Sequence, residues 1–221
     1  MKQYKCVIFD WDGTLMDSEA RIVNSIQQAA KAVGYPVLPY EVSKQIIGLS
    51  LEKAIETLYP KAGGNVVEEM SKAYTNCFLG DCKVPMQPYV GVEPLLSSIK
   101  ISGAKIAIAT GKSRKGLNQV LSEVSFSQYF DTTRTPHESE SKPSPLMLQQ
   151  ILQEFSLSVD DAVMVGDTEF DMEMAQNIGM DSIALSHGVH EIERLQQYNP
   201  VMICDNLNEL QNRLTGRLQK H

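Results

Sequence analysis

The sequence lacks any apolar run approaching the roughly 18 residues that cross a membrane, so it holds no candidate transmembrane helix. Its first apolar stretch, Cys6-Val7-Ile8-Phe9, follows Lys2 and Lys5 but stops at Asp10 and Asp12, too short for the apolar region of a signal peptide. Cysteine is scarce. Cys6, Cys77, Cys82 and Cys204 form no Cys-x-x-Cys pair, and none is spaced with a histidine as a zinc knuckle requires. Cys6 and Cys204 fall in apolar runs and read as small core residues, whereas Cys77 and Cys82 read as free thiols in a reducing compartment. Positive charge is short as well, with 20 Lys and Arg against 27 Asp and Glu and a net charge of −7. An acidic surface repels phosphate backbones, which argues against nucleic acid as a partner; a small anionic substrate would have to find its positive charge inside the site. The expectation is a cytoplasmic protein without a membrane partner. Oligomeric state is not legible.

Sequence repeats and low-complexity segments are also missing, and a 43% hydrophobic, 21% charged composition excludes disorder. Short, nearly continuous apolar runs predict strands buried on both faces at Tyr4–Phe9, Lys105–Ala109, Ala162–Val165, Ser182–Leu185 and Val201–Ile203, with a weaker one at Tyr129–Thr132. Helical patterns lie between most of them: Arg114–Val124, Pro145–Phe155 with Ser144 as its cap, Asp171–Ile178 stopping at Gly179, and a last helix opened by Asn206 with Glu209 in capping-box spacing. The alternation predicts an α/β fold with a Rossmann-like parallel sheet. From about Asp17 to Lys83 only helical patterns occur. They comprise a helix capped by Ser18 and ending at Gly34, one over Tyr40–Ile47 ending at Gly48, one capped by Ser50, and one carrying Val66, Val67, Met70, Tyr74 and Phe78. This predicts a core of residues 1–16 and 84–221 with a helical insert, residues 17–83, able to act as a lid.

Four motifs stand at strand ends or in loops. Asp10-Trp11-Asp12-Gly13-Thr14 follows the first strand, where an open parallel sheet binds ligands and two carboxylates two residues apart can face one ligand. It is no EF-hand, since Leu15 and Arg21 stand where that loop needs Gly and Glu. Thr110-Gly111-Lys112-Ser113 lacks the first glycine of a P-loop, Ile106 standing there, but leaves a hydroxyl, an amide and a helix N-terminus that can cradle a phosphate. Lys142-Pro143 lies in a polar loop. Gly166-Asp167-x-x-x-Asp171 ends another strand. Brought together, these carboxylates would repel one another; a hard divalent cation and a lysine are what could hold them. Lys112, Arg114 and Lys115 read as a solvated helix start, and His187 and His190 as loop residues.

In order and approximate spacing these motifs resemble those of the haloacid dehalogenase superfamily, and the insert looks like its C1-type cap. Phe9–Ser18 is most similar to the phosphoglycolate-phosphatase-like branch. The polar loop Thr135–Glu140 departs from the usual Gly-Asp-rich version. The resemblance implies a Mg2+-dependent phosphatase acting on a small phosphorylated metabolite. It implies Asp10 as nucleophile and Asp12 as acid and base. Thr110, Gly111 and Lys142 would bind the phosphate, Mg2+ would sit on Asp10, Asp167 and the Asp12 carbonyl, and Asp171 would support that shell. Haloacid dehalogenases themselves lack the second aspartate. An inorganic pyrophosphatase remains an alternative. So does a sugar-phosphate mutase of the β-phosphoglucomutase type, although Ile22, Ile47 and Leu51 fall where that branch places His, Lys and Arg.

Overall fold

The computed structural model describes residues 2–219. Strands β1 (Cys6–Phe9), β2 (Met16–Asp17), β3 (Gln87–Pro88), β4 (Lys105–Ala109), β5 (Thr132–Arg134), β6 (Ala162–Gly166), β7 (Asp181–Leu185) and β8 (Met202–Cys204) form two sheets. The larger is parallel throughout, in the order β5-β4-β1-β6-β7-β8. The chain builds outward from β1 through β4 to β5, then returns to the other side of β1 with β6. That reversal opens a crevice beyond the carboxyl ends of β1, β4 and β6, where such sheets bind ligands.

Alternation along the strands divides the core. Val7, Phe9, Ile106, Ile108, Val163 and Val165 pack on one face, and Cys6, Ile8, Ala107, Ala109, Ala162 and Met164 on the other. Helices cover both faces. Between β2 and β3 lie α1 (Glu19–Ala32), α2 (Tyr40–Ser43), α3 (Leu51–Leu58) and α4 (Gly64–Asn76). These pack about their own apolar centre, in which Ile26, Ala29, Ile55, Val67 and Met70 are buried. The later helices are α5 (Val92–Ser102), α6 (Arg114–Glu123), α7 (Leu146–Phe155), α8 (Glu169–Gln176), α9 (Ile192–Gln196) and α10 (Leu207–Leu214). Among the described residues no helix is long and apolar enough to cross a membrane.

Several local expectations change. The weak strand at Tyr129–Thr132 is a 3-10 turn over Ser127–Tyr129 followed by β5. The apolar signal there belongs to Phe126 and Phe130, which pack on Trp11, while β5 is a polar edge strand. The helix expected from Asp171 starts at Glu169, because Thr168 is its N-cap and Asp171 completes the capping box. Tyr40–Ile47 is a short α-helix continuing as a 3-10 turn, Lys44–Ile46. Ser18 does not cap α1; its hydroxyl donates to Asp12 Oδ1 instead, at 2.7 Å. The two passages between core and insert pair as β2 and β3, two residues each and too short to leave an apolar pattern.

Candidate active site

The crevice gathers the expected residues from separate elements. Asp10 follows β1, Thr110 follows β4 and Asp167 follows β6; all three are buried, as are Lys142 and Asp171. Carboxylate oxygens of Asp10, Asp167 and Asp171 lie within 4.8 Å of one another. Lys142 Nζ reaches Asp10 Oδ1 at 2.7 Å and Asp171 Oδ1 at 2.6 Å. An ammonium has three N–H groups, so one remains for a ligand oxygen. Asp171 is fully committed, its second oxygen accepting from the Thr168 amide and hydroxyl at 3.0 and 2.7 Å. Asp167 accepts from the Thr14 hydroxyl at 2.6 Å and the Val189 amide at 2.9 Å. Asp10 Oδ2 has no partner.

Glycine makes this crowding possible. A Cβ at Gly13 or at Gly188 would fall on the Asp167 carboxylate, and one at Gly166 on that of Asp171. Gly13 also has φ +80°, which disfavours any side chain there. Gly188 was not legible as a site residue, because its neighbour Asp167 lies 21 positions earlier on another strand.

Three buried carboxylates facing one buried ammonium are costly. Burial pushes the Asp10 carboxyl up to about 7 against the pull of Lys142, and repulsion from Asp171 and Asp12 adds to the rise. Burial also raises Asp167 well above the usual carboxylate range, helped by Asp171 and Asp10. Burial opposes the charge on Lys142, but Asp10 and Asp171 outweigh it, and its pKa lies above that of an ordinary lysine. The excess negative charge, the all-oxygen donor set and the unpartnered Asp10 oxygen fit a divalent cation.

A pH dependence follows. A carboxyl whose folded pKa is raised from 3.8 to about 7 gives stability that is complete below pH 4 and lost as pH rises through 7. His190, lowered by burial and Arg194 to about 4, acts in the opposite sense, and the raised Asp167 acts in the same sense as Asp10, so the wild-type profile alone mixes all three. Comparison with Asp10→Asn reports the Asp10 charge together with the relief it gives Asp167. In chelator the variant should match wild type near pH 4 and exceed it by roughly 4 kcal/mol, or roughly 10 °C in Tm, at pH 7.5. Equal melting curves at both pH values would show that Asp10 is not strained by its surroundings.

Asp12 stands apart from the buried triad. Its carboxylate accepts from Ser18 on one oxygen and meets Lys112 Nζ at 3.0 Å on the other. Lys112 is therefore not part of a solvated helix start. Its side chain is 7% exposed and its ammonium sits 4.3 Å from the centre of the Phe78 ring, which the insert supplies. The partner was invisible in sequence because the insert separates it from the core motif. Arg114 pairs with Glu138 and donates to the Thr133 hydroxyl, outside the crevice. Thr110 Oγ1 accepts from the Lys112 amide at 3.2 Å. The insert loop closes on this cradle: a Cβ at Gly111 would fall on the Gly48 and Leu49 carbonyls, and the Ser50 amide donates to Ser141 Oγ at 2.9 Å. The histidines are structural. His187 packs on Tyr89 and its Nε2 lies 3.2 Å from the Thr14 carbonyl, while His190 Nδ1 accepts from the Glu169 amide.

A parallel sheet with acids and a hydroxyl at three strand ends, a buried lysine and a helical insert over the crevice defines a class, and sequence comparison agrees with it. The profile of the haloacid dehalogenase-like hydrolases matches residues 7–185, and the chain belongs to that family. It is similar to a phosphoglycolate phosphatase of Vibrio parahaemolyticus, 25% identical over 214 residues and covering 93% of this chain and 94% of that one. It is also similar to the tyrosine-protein kinase PtkA of Mycobacterium tuberculosis, 29% identical over 183 residues, covering 82% of this chain and 62% of that one. A hydrolase from Pseudomonas syringae shares the fold at a TM-score of 0.86 and 20% identity, covering 98% and 99% of the two chains. Two such different activities among relatives leave the decision to the site itself.

Proposed function

We propose that this chain is a cytoplasmic, Mg2+-dependent phosphatase that hydrolyses a small phosphorylated metabolite through an aspartyl-phosphate on Asp10. Residues 17–83 serve as the cap over a catalytic core of residues 1–16 and 84–221. The observation that carries this reading is the buried Oδ2 of Asp10, an oxygen at a strand end that has no hydrogen-bond partner among the described residues while Lys142 engages the other oxygen of the same carboxylate. Similarity to a phosphoglycolate phosphatase over almost the full chain points the same way.

In the first step an Asp10 oxygen bonds to phosphorus as the bond to the leaving oxygen breaks, and Asp12, entering the cycle as the carboxylic acid, gives that oxygen its proton and becomes the carboxylate that Lys112 meets. In the second, water attacks phosphorus, Asp12 takes its proton, and Asp10 departs as a carboxylate. The Ser18 hydroxyl and Lys112 ammonium fix the orientation of Asp12 for both transfers. The Thr110 hydroxyl, the Gly111 amide and the spare N–H of Lys142 bind the phosphoryl oxygens. Mg2+ would be held by the Asp10 and Asp167 carboxylates and the Asp12 carbonyl, and would offset charge on the transferring group. Asp171 is a positioning residue, since its oxygens hold Lys142 and Thr168. A sugar-phosphate mutase reading is weaker, because Ile22, Ile47 and Leu51 are apolar where polyol recognition would need polar groups.

Excess chelator should lower phosphate release by at least roughly 10³-fold, Mg2+ should restore it, and Ca2+ should restore little, its larger and looser shell misplacing the nucleophile. Undiminished release in chelator would defeat the metal-dependent mechanism.

A further inference from the structure

Between the insert and the core lies a partly open chamber of about 70 Å³ lined by Asp12, Gly111 and Lys112 on the core side. In the reading proposed above, on which this inference rests, the phosphate sits at Asp10 and the leaving oxygen at Asp12. The group that this oxygen carries is then placed at this chamber, which Asp12 lines. The insert walls it with Ile22, Ile26, Ile46, Ile47, Leu49 and Phe78.

Its polar groups are few, and only the Tyr74 hydroxyl and the N–H groups of Lys112 beyond Asp12 are left to meet a ligand. Asp12 and Lys112 are paired with each other. The Thr75 hydroxyl donates to the Ser71 carbonyl at 2.8 Å, and the Ser113 hydroxyl accepts from the Gly116 amide at 3.1 Å. Tyr74 lies stacked on Phe78. A polyol or a ribose entering here would lose its water and find fewer partners than its hydroxyls need, against a wall that is mostly aliphatic. The volume is about half of the roughly 150 Å³ that holds a benzene ring.

We infer that the substrate is a phosphate monoester of a compact aliphatic alcohol, not of a sugar or nucleoside. The chamber rejects hydroxyls by leaving them unpartnered, and it admits an alkyl group by burying it against isoleucine and leucine.

A matched pair tests this with the Mg2+-loaded full-length enzyme: n-propyl phosphate and glycerol 3-phosphate, which have the same carbon chain and differ by two hydroxyls. An apolar pocket disfavours each added hydroxyl by roughly 10- to 100-fold. The expected kcat/KM ratio therefore favours propyl phosphate by at least roughly 100-fold, and a ratio below ten overturns the inference. Ile22→Asn, which puts an amide into the chamber, should reduce the ratio at least tenfold; an unchanged ratio in the folded variant would show that the leaving group lies elsewhere. Acetyl phosphate separates this inference from the underlying reading. Release from it that Asp10→Asn abolishes, together with a ratio below ten, defeats only the inference. No release from any of the three defeats the phosphatase reading and the inference together.

Discussion

Replacing Asp10 by Asn should leave a folded protein whose kcat falls by at least roughly 10⁴-fold. The amide is nearly isosteric with the carboxyl, so the strand end and its packing are kept, but its nitrogen and oxygen are poor nucleophiles toward phosphorus. Asp10 is wholly buried at the end of β1, and its side chain meets Lys142 without supporting any helix cap or turn. The loss should thus appear in chemistry and not in folding, with the variant melting at or above the wild-type temperature at neutral pH in chelator. Phosphate release and thermal melting on the same preparation check both halves. Near-normal release would remove Asp10 from the nucleophile's role.

Lys142→Met should produce the largest loss of stability of any single change at the site. The methionine fills much of the space of the lysine stem, but the Asp10 and Asp171 carboxylates that share that ammonium are left with no cation. Removing one partner from a buried charge pair costs about 3–5 kcal/mol, a fall in Tm of roughly 10 °C for a chain of this size. The loss should be greatest in chelator at pH 7.5 and smaller at pH 5, where Asp10, with its carboxyl raised to about 7, takes up a proton. It should also be smaller with a divalent cation present. Turnover should fall by roughly 10²–10³-fold through loss of a phosphate-binding N–H. A melting temperature within about 2 °C of wild type in chelator at pH 7.5 would contradict the account of the triad.

The sheet was legible in sequence because its inner strands are apolar on both faces. Lys105–Ala109 matches residue for residue, β6 and β7 each differ from expectation by one residue at one end, and β8 by one residue at both. The acids at strand ends were legible for the same reason, since a buried strand that stops at a carboxylate marks the rim of the sheet. Edge strand β5 was misplaced because its residues Thr132–Arg134 are polar and only half-buried, whereas β8 at the other edge keeps Met202 and Cys204 buried and was found. Side-chain pairing across the insert was not readable. Lys112 meets Asp12 and Phe78 at sequence separations that no local pattern spans, and Ser18 turns from its helix to Asp12 for the same reason. Spacing placed Asp10 and Asp12 on one side of the chain, yet the third buried carboxylate beside Asp10 and Asp167 is that of Asp171. The chain leaves β1 for a turn at Gly13, and the extended geometry that would keep the first two together ends there.

Trp11 is the chain's single tryptophan, set between the two aspartates of the first motif and fully buried against Phe126 and Phe130. All indole emission therefore originates within one residue of Asp10 and of Asp12, in a water-free setting. Selective excitation of the indole reads the packing around the first motif without any label. The eight tyrosines spread through the rest of the molecule contribute almost nothing there. Stopped-flow fluorescence can follow ligand arrival at β1 directly, and the red shift on denaturation reports the opening of that strand's packing and not an average over the chain.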